Sequence, residues 1–206
     1  MIFSANMLKT YKLCPKKYKF RYEDKFIPPQ DTEIFERGKK IHALAHYYLM
    51  GVDVRDFENS LAASEKILWE RLKNNKYFNM KTLATEFELN FKAGKYWIGG
   101  RLDAVVYDNE KNYFILDYKT GAVPPDPEND LQTIVYMCAL AIHLKKDFKT
   151  LRFVYLDLKN NTEKVINSTQ IRPEIIDNIL KQIELERFNP TDDKNICANC
   201  EYKMFC

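Results

Sequence analysis

The sequence predicts an α/β protein of 206 residues arranged as a single domain. Two observations lead to this fold class. Segments of strand length, such as 113–119, carry alternating or continuous apolar residues and are separated by polar turn formers. Around them lie longer segments with the apolar pattern of amphipathic helices, such as 54–74. Hydrophobic residues make up 46% of the chain, which is enough to form a core.

The first part of the chain predicts helices over 5–13, from 31 or 32 to 50, and over 54–74. Ser4 can cap the first helix, and Cys14–Pro15 stops it. The second helix places His42 and His46 one turn apart, and therefore on one face. This is not the helix of a zinc protease, because Ala43 stands where such a helix carries glutamate.

The segment KKYKFRYEDKF, at 16–26, interleaves basic and aromatic side chains. Such a segment suits a single-stranded nucleic-acid path, because lysines follow phosphates and rings stack on bases. It also suits an amphipathic segment whose rings point inward while its lysines stay solvated. The residues themselves leave both interpretations open.

The remainder of the chain predicts strands and helices in turn. Strands are expected at 82–92, 101–107, 113–119, 151–158 and 163–168, and helices at 128–144 and 172–187. The chain after Pro190 is predicted to be irregular. On strand 82–92, Glu86 and Glu88 alternate with apolar residues. Either could support a metal site, and a solvated polar face is the alternative.

Residues 99–121, GGRLDAVVYDNEKNYFILDYKTG, are the most informative stretch of the chain. In an antiparallel hairpin centred on Glu110, paired residue numbers sum to 220, so that Asp103 faces Asp117. Lys119 shares the face of Asp117, because side chains alternate along a strand. Opposed carboxylates destabilise a hairpin unless a cation lies between them. The trio therefore indicates a divalent-cation site, with two surface aspartates and an ordinary lysine ion pair as the alternative.

The helix predicted at 128–144 carries Gln132 and Tyr136 as neighbours at i,i+4. An amide and a phenol side by side can hold a phosphate or a base edge, and an ordinary, partly exposed pair is the alternative. Cys138 lies among apolar residues of the same helix and is expected to belong to the core.

The other cysteines suggest a metal site that joins the two ends of the chain. Cys197, Cys200 and Cys206 form C-x2-C-x5-C, and a C-x2-C pair can place two thiolates on one metal. Cys14, beside its own proline, is the candidate for a fourth ligand. The spacing is compatible with zinc and with an iron–sulfur cluster, and it leaves open that no metal binds.

The overall composition narrows the classes of function. A net charge of +3 is too small to predict nucleic-acid binding, which would have to come from local patches. No apolar run is long enough to span a membrane and no secretory signal is evident, so we expect a cytoplasmic protein with reduced cysteines. No G-x-x-x-x-G-K-(S/T) loop is present, so coupling to a helicase motor would need a partner.

Six short motifs together resemble the RecB-like branch of the PD-(D/E)xK nuclease superfamily. The closest likeness is to its stand-alone iron–sulfur exonucleases, including those encoded beside CRISPR adaptation genes and in phages. The motifs are S-x-x-x-L-x-x-Y-x-x-C-P at 4–15, G-x-x-x-H at 38–42, G-x-x-D at 100–103, D-Y-K-T-G at 117–121, Q-x-x-x-Y at 132–136 and the three terminal cysteines. They follow the family's order and cover nearly the whole chain.

The resemblance implies a restriction-endonuclease-like core, in which a mixed central sheet flanked by helices carries the metal-binding hairpin in its middle. It implies that Asp103, Asp117 and His42 bind Mg²⁺ or Mn²⁺. Lys119 would orient or activate the attacking water and offset charge on the phosphorane. Many relatives have glutamate where this chain has Asp117, a departure of little consequence because both are carboxylates.

The resemblance also implies that Gln132 and Tyr136 contact DNA, since they occupy the family's Q-x-x-x-Y positions. It implies a 4Fe-4S cluster, with Zn²⁺ as the alternative, on four cysteines: Cys14, Cys197, Cys200 and Cys206. These ligands would place a cysteine-cluster subdomain of residues 1–30 and 189–206 within one nuclease domain of residues 1–206.

The implied function is a Mg²⁺- or Mn²⁺-dependent deoxyribonuclease. It would be an exonuclease that hydrolyses phosphodiester bonds of single-stranded or end-frayed DNA. The implied partners are a CRISPR integrase or helicase and recombination proteins. The alternative is a non-catalytic DNA-end-binding or scaffolding subunit of a helicase–nuclease or CRISPR adaptation complex.

Overall fold

The computed structural model describes residues 2–26, 28 and 33–206, and the side chains of residues 33–37 lie outside this description. The strands in this part of the chain are β1 (Ile2–Ser4), β2 (Lys81–Ala93), β3 (Tyr96–Tyr107), β4 (Tyr113–Lys119), β5 (Leu151–Asp157) and β6 (Thr162–Asn167). The α-helices are α1 (Ala5–Leu13), α2 (Pro15–Tyr18), α3 (Glu33–Leu49), α4 (Arg55–Ser60), α5 (Ala63–Lys73), α6 (Leu131–Leu144), α7 (Glu174–Glu184) and α8 (Lys194–Ala198). A π-helical turn covers Lys19–Glu23, and a 3₁₀ turn covers Lys203–Phe205.

The strands form one mixed sheet in the order β1-β3-β4-β5-β6, and β2 pairs with β3 as well. The β1–β3 and β4–β5 pairs are parallel, and the others are antiparallel. β3 is long enough to pair with three strands. Its residues 97–99 pair with β1, its residues 104–107 pair with β4, and β2 pairs with it along almost the whole length of β3. This arrangement confirms the predicted mixed central sheet.

The predicted hairpin register is confirmed. At each paired position of the β3–β4 ladder the residue numbers sum to 220, as they do for Val105 opposite Ile115. Asp103 and Asp117 are the next residues in line after the last of these pairs. The hairpin therefore brings both aspartates to the same end of the ladder.

Helices cover both faces of the sheet and give the protein two hydrophobic cores. One core contains residues of α1, α6 and α7, together with Val105 and Ile115 from the sheet. The other contains residues of α3 and α5, together with Val106 and Leu116. Successive residues of β3 and β4 thus enter opposite cores, which explains their continuous apolar runs. In the part of the chain that the structure describes, no helix has the length and apolarity to cross a membrane.

The helix predicted over 54–74 is wrong as a single element. It is two helices, α4 and α5, because Leu61 and Ala62 between them adopt extended backbone. The Glu65 carboxylate accepts a hydrogen bond from the Ala62 N–H and caps the start of α5, at a point where the sequence predicted an uninterrupted helix. Glu58 of α4 then accepts a hydrogen bond from the Trp69 ring of α5, so the two helices stay joined.

Other boundaries differ in smaller ways. Ile2–Ser4 forms β1, which the sequence analysis missed because three residues are too few to show a period. α6 begins at Leu131 rather than at 128, because the Asp130 carboxylate accepts a hydrogen bond from the Gln132 N–H and caps the helix there. The tail predicted to be irregular contains α8, capped by Asp193, and a 3₁₀ turn. The predicted start of the second helix, at 31 or 32, lies outside the described residues.

The basic and aromatic segment at 16–26 turns its rings toward the protein. Tyr18 is fully buried and its ring stacks on Phe188. The ring of Phe20 stacks on Tyr202, close to the end of the chain. Lys17 stays partly exposed and forms an ion pair of 2.8 Å with a glutamate of the tail. The structure therefore favours the amphipathic interpretation of this segment over the nucleic-acid path.

Candidate active site

One cleft of about 910 Å³ lies where β2, β3 and the end of β4 meet α1, α3 and α6. The cleft is lined by the six residues that the resemblance assigns to metal binding, catalysis or DNA contact: His42, Asp103, Asp117, Lys119, Gln132 and Tyr136. His46 and Glu86 line it as well. Lys9 and Arg101 also line the cleft, so that basic groups stand around an acidic floor. A cleft of this composition can hold both a cation and a polyanion.

His42 and Asp103 form a fixed pair on one side of the cleft. The Asp103 carboxylate accepts a hydrogen bond of 3.0 Å from the Tyr118 backbone N–H through Oδ2, while Oδ1 lies 3.3 Å from His42 Nδ1. His42 Nε2 lies 2.9 Å from the Tyr118 carbonyl oxygen, to which it donates. That bond leaves Nδ1 as the ring nitrogen that faces the carboxylate and that could bind a metal.

Asp117 is the most deeply buried charge in the cleft. Its side chain is 4% exposed and pairs with Lys119, whose Nζ lies 2.8 Å from Oδ2. Beyond this ion pair, Oδ2 has no other partner among the described residues, so it keeps acceptor capacity for a further ligand. Gln132 Nε2 donates to the other oxygen, Oδ1. The Gln132 carbonyl oxygen lies 3.5 Å from Lys119 Nζ, so one amide touches both members of the ion pair.

These contacts shift the pKa values of two groups. Burial by itself lowers the pKa of His42, but the hydrogen bond and charge of Asp103 outweigh it and raise this pKa to about 9. Burial, followed by the charge of Asp103, raises the pKa of Asp117 to about 6, although Lys119 acts in the opposite direction. The Asp103 charge contributes to both shifts, and a divalent cation would offset that charge.

Glu86 joins this group, although the sequence analysis gave it no role beyond possible metal support. Ligand atoms of His42, Glu86 and Asp103 all lie within 4.8 Å of one another. Among the described residues this is the one such group of three or more histidine, cysteine, aspartate or glutamate side chains. Glu86 also pairs with Arg101 at 2.9 Å. The alternation of apolar and polar residues along β2 could not have distinguished it from Glu88.

Tyr136 packs against β3 at a position where only glycine leaves it room. A Cβ added to Gly100 would lie 2.7 Å from Tyr136 Cε1 and 3.1 Å from its hydroxyl oxygen. The tyrosine therefore depends on the missing side chain of Gly100 for its place in the cleft. His46, which the sequence placed on the face of His42, instead bonds the Thr85 hydroxyl through Nδ1 at 2.6 Å.

A small cavity of about 90 Å³ lies beside Cys14, at the C-terminal end of α1. It is lined by the four cysteines proposed to bind a metal: Cys14, Cys197, Cys200 and Cys206. Among the described residues, no three of their sulfurs lie within 4.8 Å of one another. A single zinc with Zn–S bonds of about 2.3 Å would hold them about 3.8 Å apart. Cys138 lies elsewhere, inside α6, where burial raises the pKa of its thiol to about 12, as expected for a core residue.

Comparison with known proteins places this chain in a family. The model of the PD-(D/E)XK nuclease superfamily matches residues 2–206. A protein named CRISPR-associated exonuclease Cas4, from Francisella tularensis subsp. novicida, is 26% identical over 145 residues, which cover 66% of this chain and 70% of that protein.

Two solved structures share the fold. The crystal structure of the protein SSO0001 covers 100% of this chain and 85% of its own, with a TM-score of 0.51 and 18% identity. A second, from Eubacterium rectale, covers 90% of this chain and 78% of its own, with a TM-score of 0.50 and 12% identity.

Proposed function

Because this chain belongs to the PD-(D/E)XK nuclease superfamily, we propose that it is a divalent-metal-dependent exonuclease of single-stranded or end-frayed DNA. The family and the Francisella relative support a nuclease. The metal requirement and the DNA substrate are our own proposals. The observation that carries them is the buried Asp117 carboxylate, paired with Lys119 at the floor of an open cleft and close to Asp103.

The residues at the floor of the cleft fit a hard divalent cation. Carboxylate oxygens and one imidazole nitrogen are suitable donors for Mg²⁺ or Mn²⁺, and we propose that His42, Asp103 and Asp117 supply them. The unused acceptor capacity of Asp117 Oδ2 and the raised pKa of that carboxyl both favour a cation there. When bound, the cation would supply Lewis-acid chemistry, lowering the pKa of a water and offsetting charge on the phosphate.

Lys119 is proposed to act on the scissile phosphate. Its Nζ lies at the cleft floor beside Asp117, and its side chain is 26% exposed, so a phosphate in the cleft can reach it. A phosphodiester gains negative charge as the water attacks. A fixed ammonium at that point stabilises the transition state more than the bound substrate.

Gln132 is proposed to position the catalytic pair, a role that differs from the DNA contact implied by its motif. Its amide nitrogen donates to Asp117, and its carbonyl oxygen faces the Lys119 ammonium. Both polar ends of the side chain are therefore occupied inside the protein. Tyr136, which lines the cleft, remains the residue of this motif that we propose contacts DNA.

Gln132→Ala is expected to reduce kcat by about 10–100-fold, the usual cost of losing a supporting hydrogen-bond partner. The affinity for DNA, measured by fluorescence anisotropy with Ca²⁺ in place of Mg²⁺, should stay within about twofold. Gln182→Ala, an exposed glutamine on α7, is the matched control and should leave both quantities unchanged. A loss of DNA affinity with kcat intact would instead assign Gln132 to the DNA.

Gly100→Ala is expected to reduce DNA cleavage by up to ~10²-fold, because the new methyl group would displace the Tyr136 ring within the cleft. The steady-state rate on single-stranded DNA measures the effect. Gly121→Ala is the control, since an added Cβ there meets no atom within 4 Å. Wild-type activity in Gly100→Ala would show that the position of Tyr136 does not matter for the reaction.

The test of the proposed function is digestion of end-labelled single-stranded and double-stranded DNA by the purified protein. With Mg²⁺ or Mn²⁺ we expect shortening from an end, faster on the single strand, and no reaction in EDTA. Tight DNA binding without any metal-dependent cleavage would instead support the non-catalytic end-binding or scaffolding alternative.

We further propose that the four-cysteine cavity holds a 4Fe-4S cluster. The support is the gathering of the four thiols around one cavity, and Zn²⁺ is the alternative occupant. Such a cluster requires reduced cysteines, in keeping with a cytoplasmic location. It would anchor a subdomain of residues 1–30 and 189–206 to the nuclease core. The Francisella relative suggests CRISPR proteins as partners, and recombination proteins or a helicase are further candidates.

A further inference from the structure

We propose that Glu86 is a ligand of the divalent cation, so that β2 contributes a donor in addition to α3, β3 and β4. This inference rests on the proposed function, because it concerns the same ion. It adds a residue that the sequence motifs do not contain.

The backbone of β2 presents Glu86 to the site in an unusual way. Thr85 pairs with Ala104 and Phe87 with Leu102, so Glu86 stands directly across from Asp103. The backbone φ of Glu86 is +48°, in the left-handed region, which raises the conformational energy of any residue that has a Cβ. A strand residue in this conformation no longer follows the regular alternation of side chains.

The resulting geometry suits one ion. The donor atoms of His42, Glu86 and Asp103 lie within 4.8 Å of one another. Ligands around Mg²⁺ or Mn²⁺, at bonds of about 2.1 Å, are at most about 4.2 Å apart, so small side-chain movements suffice. The deeply buried Asp117 carboxylate lines the same cleft, but it is not one of the three side chains whose donor atoms lie within 4.8 Å of one another.

Arg101 forms an ion pair with the Glu86 carboxylate. Its guanidinium lies 2.9 Å from Glu86, and its side chain is 63% exposed at the wall of the cleft. Arg101 and the cation therefore compete for one carboxylate. Transfer of Glu86 to the ion would release the guanidinium toward a phosphate group of the bound strand.

The test is Mn²⁺ binding to the full-length protein, followed by electron paramagnetic resonance and by isothermal titration calorimetry. Glu86→Gln should bind Mn²⁺ at least about tenfold more weakly than the wild type. Glu88→Gln, two residues along the same strand and exposed, is the matched control and should bind like the wild type. Equal Mn²⁺ affinity of Glu86→Gln and the wild type would overturn the inference and leave the proposed function standing.

The Mn²⁺ affinities of Arg101→Gln and of the wild type distinguish loss of a ligand from misfolding and from failure of the proposed function. Arg101→Gln should bind Mn²⁺ more tightly than the wild type because it frees the carboxylate, a gain that misfolding of a variant cannot produce. Unchanged affinity in Arg101→Gln would count against the competition and so against the inference. A wild-type protein that binds no Mn²⁺ would refute the proposed metal-dependent function, and the role of Glu86 with it.

Discussion

Lys119→Met is expected to lower the rate of DNA cleavage by on the order of 10²–10³-fold, the range found when one preorganised electrostatic group is removed from an active site. The Lys119 ammonium lies 2.8 Å from Asp117 at the cleft floor. Methionine keeps the length of the side chain and removes only its charge and donors. Single-turnover cleavage of end-labelled DNA measures the effect on the chemical step.

The control for this prediction is Lys164→Met, since Lys164 is exposed on the edge strand β6, away from the cleft. It should cleave at the wild-type rate. Lys119→Met should still bind Mn²⁺, because Lys119 is not a proposed ligand, whereas Asp103→Ala should lose both Mn²⁺ binding and cleavage. Wild-type cleavage by Lys119→Met would contradict the role assigned to the ammonium.

The hairpin that carries Asp103 and Asp117 could be predicted because its signal is local. The polar turn at 108–112 sets the centre of symmetry, and the apolar runs on either side set which residues face each other. The convergence of Asp103, Asp117 and Lys119 then follows from the period of two in a strand. Their location in one cleft agrees with that expectation.

Glu86 could not be predicted in this way, because its position depends on an irregularity. At Thr82 the paired numbers of β2 and β3 sum to 188, and from Ala84 onward they sum to 189, so one extra residue is inserted between them. Without that bulge Glu86 would lie opposite Leu102 rather than Asp103. The alternation of apolar and polar residues in β2 does not indicate this inserted residue.

The contact of Gln132 with Asp117 could not be predicted for a different reason. Helical spacing places it beside Tyr136 on one face of α6 but does not say what that face meets. Only the packing of α6 against the end of β4 brings its amide to Asp117. The break between α4 and α5 has a local cause, the Glu65 cap at the start of α5, and the Glu58 bond to Trp69 then holds the two helices together.

Cys14→Ser is expected to remove the proposed iron–sulfur cluster and to destabilise the protein. Cys14 is buried between α1 and α2, and it faces the three thiols of the tail across one cavity. The free energy of binding a thiolate-bound metal contributes directly to folding. A loss of even about 3 kcal/mol would lower the Tm of a chain of this size by ~6–12 °C.

The measurements are iron and sulfide content, absorbance near the boundary of the visible and ultraviolet, and thermal unfolding of anaerobically purified protein. Cys138→Ala is the matched control: its thiol lies in α6 outside the cavity, so the iron content should not change. Stoichiometric zinc without iron in the wild type would refute the iron–sulfur assignment while keeping a metal clasp. Full iron content in Cys14→Ser would show that Cys14 is not a ligand. Tail contacts such as the Tyr202 hydroxyl bond to the Phe26 carbonyl, at 2.8 Å, would then have to join the two ends of the chain.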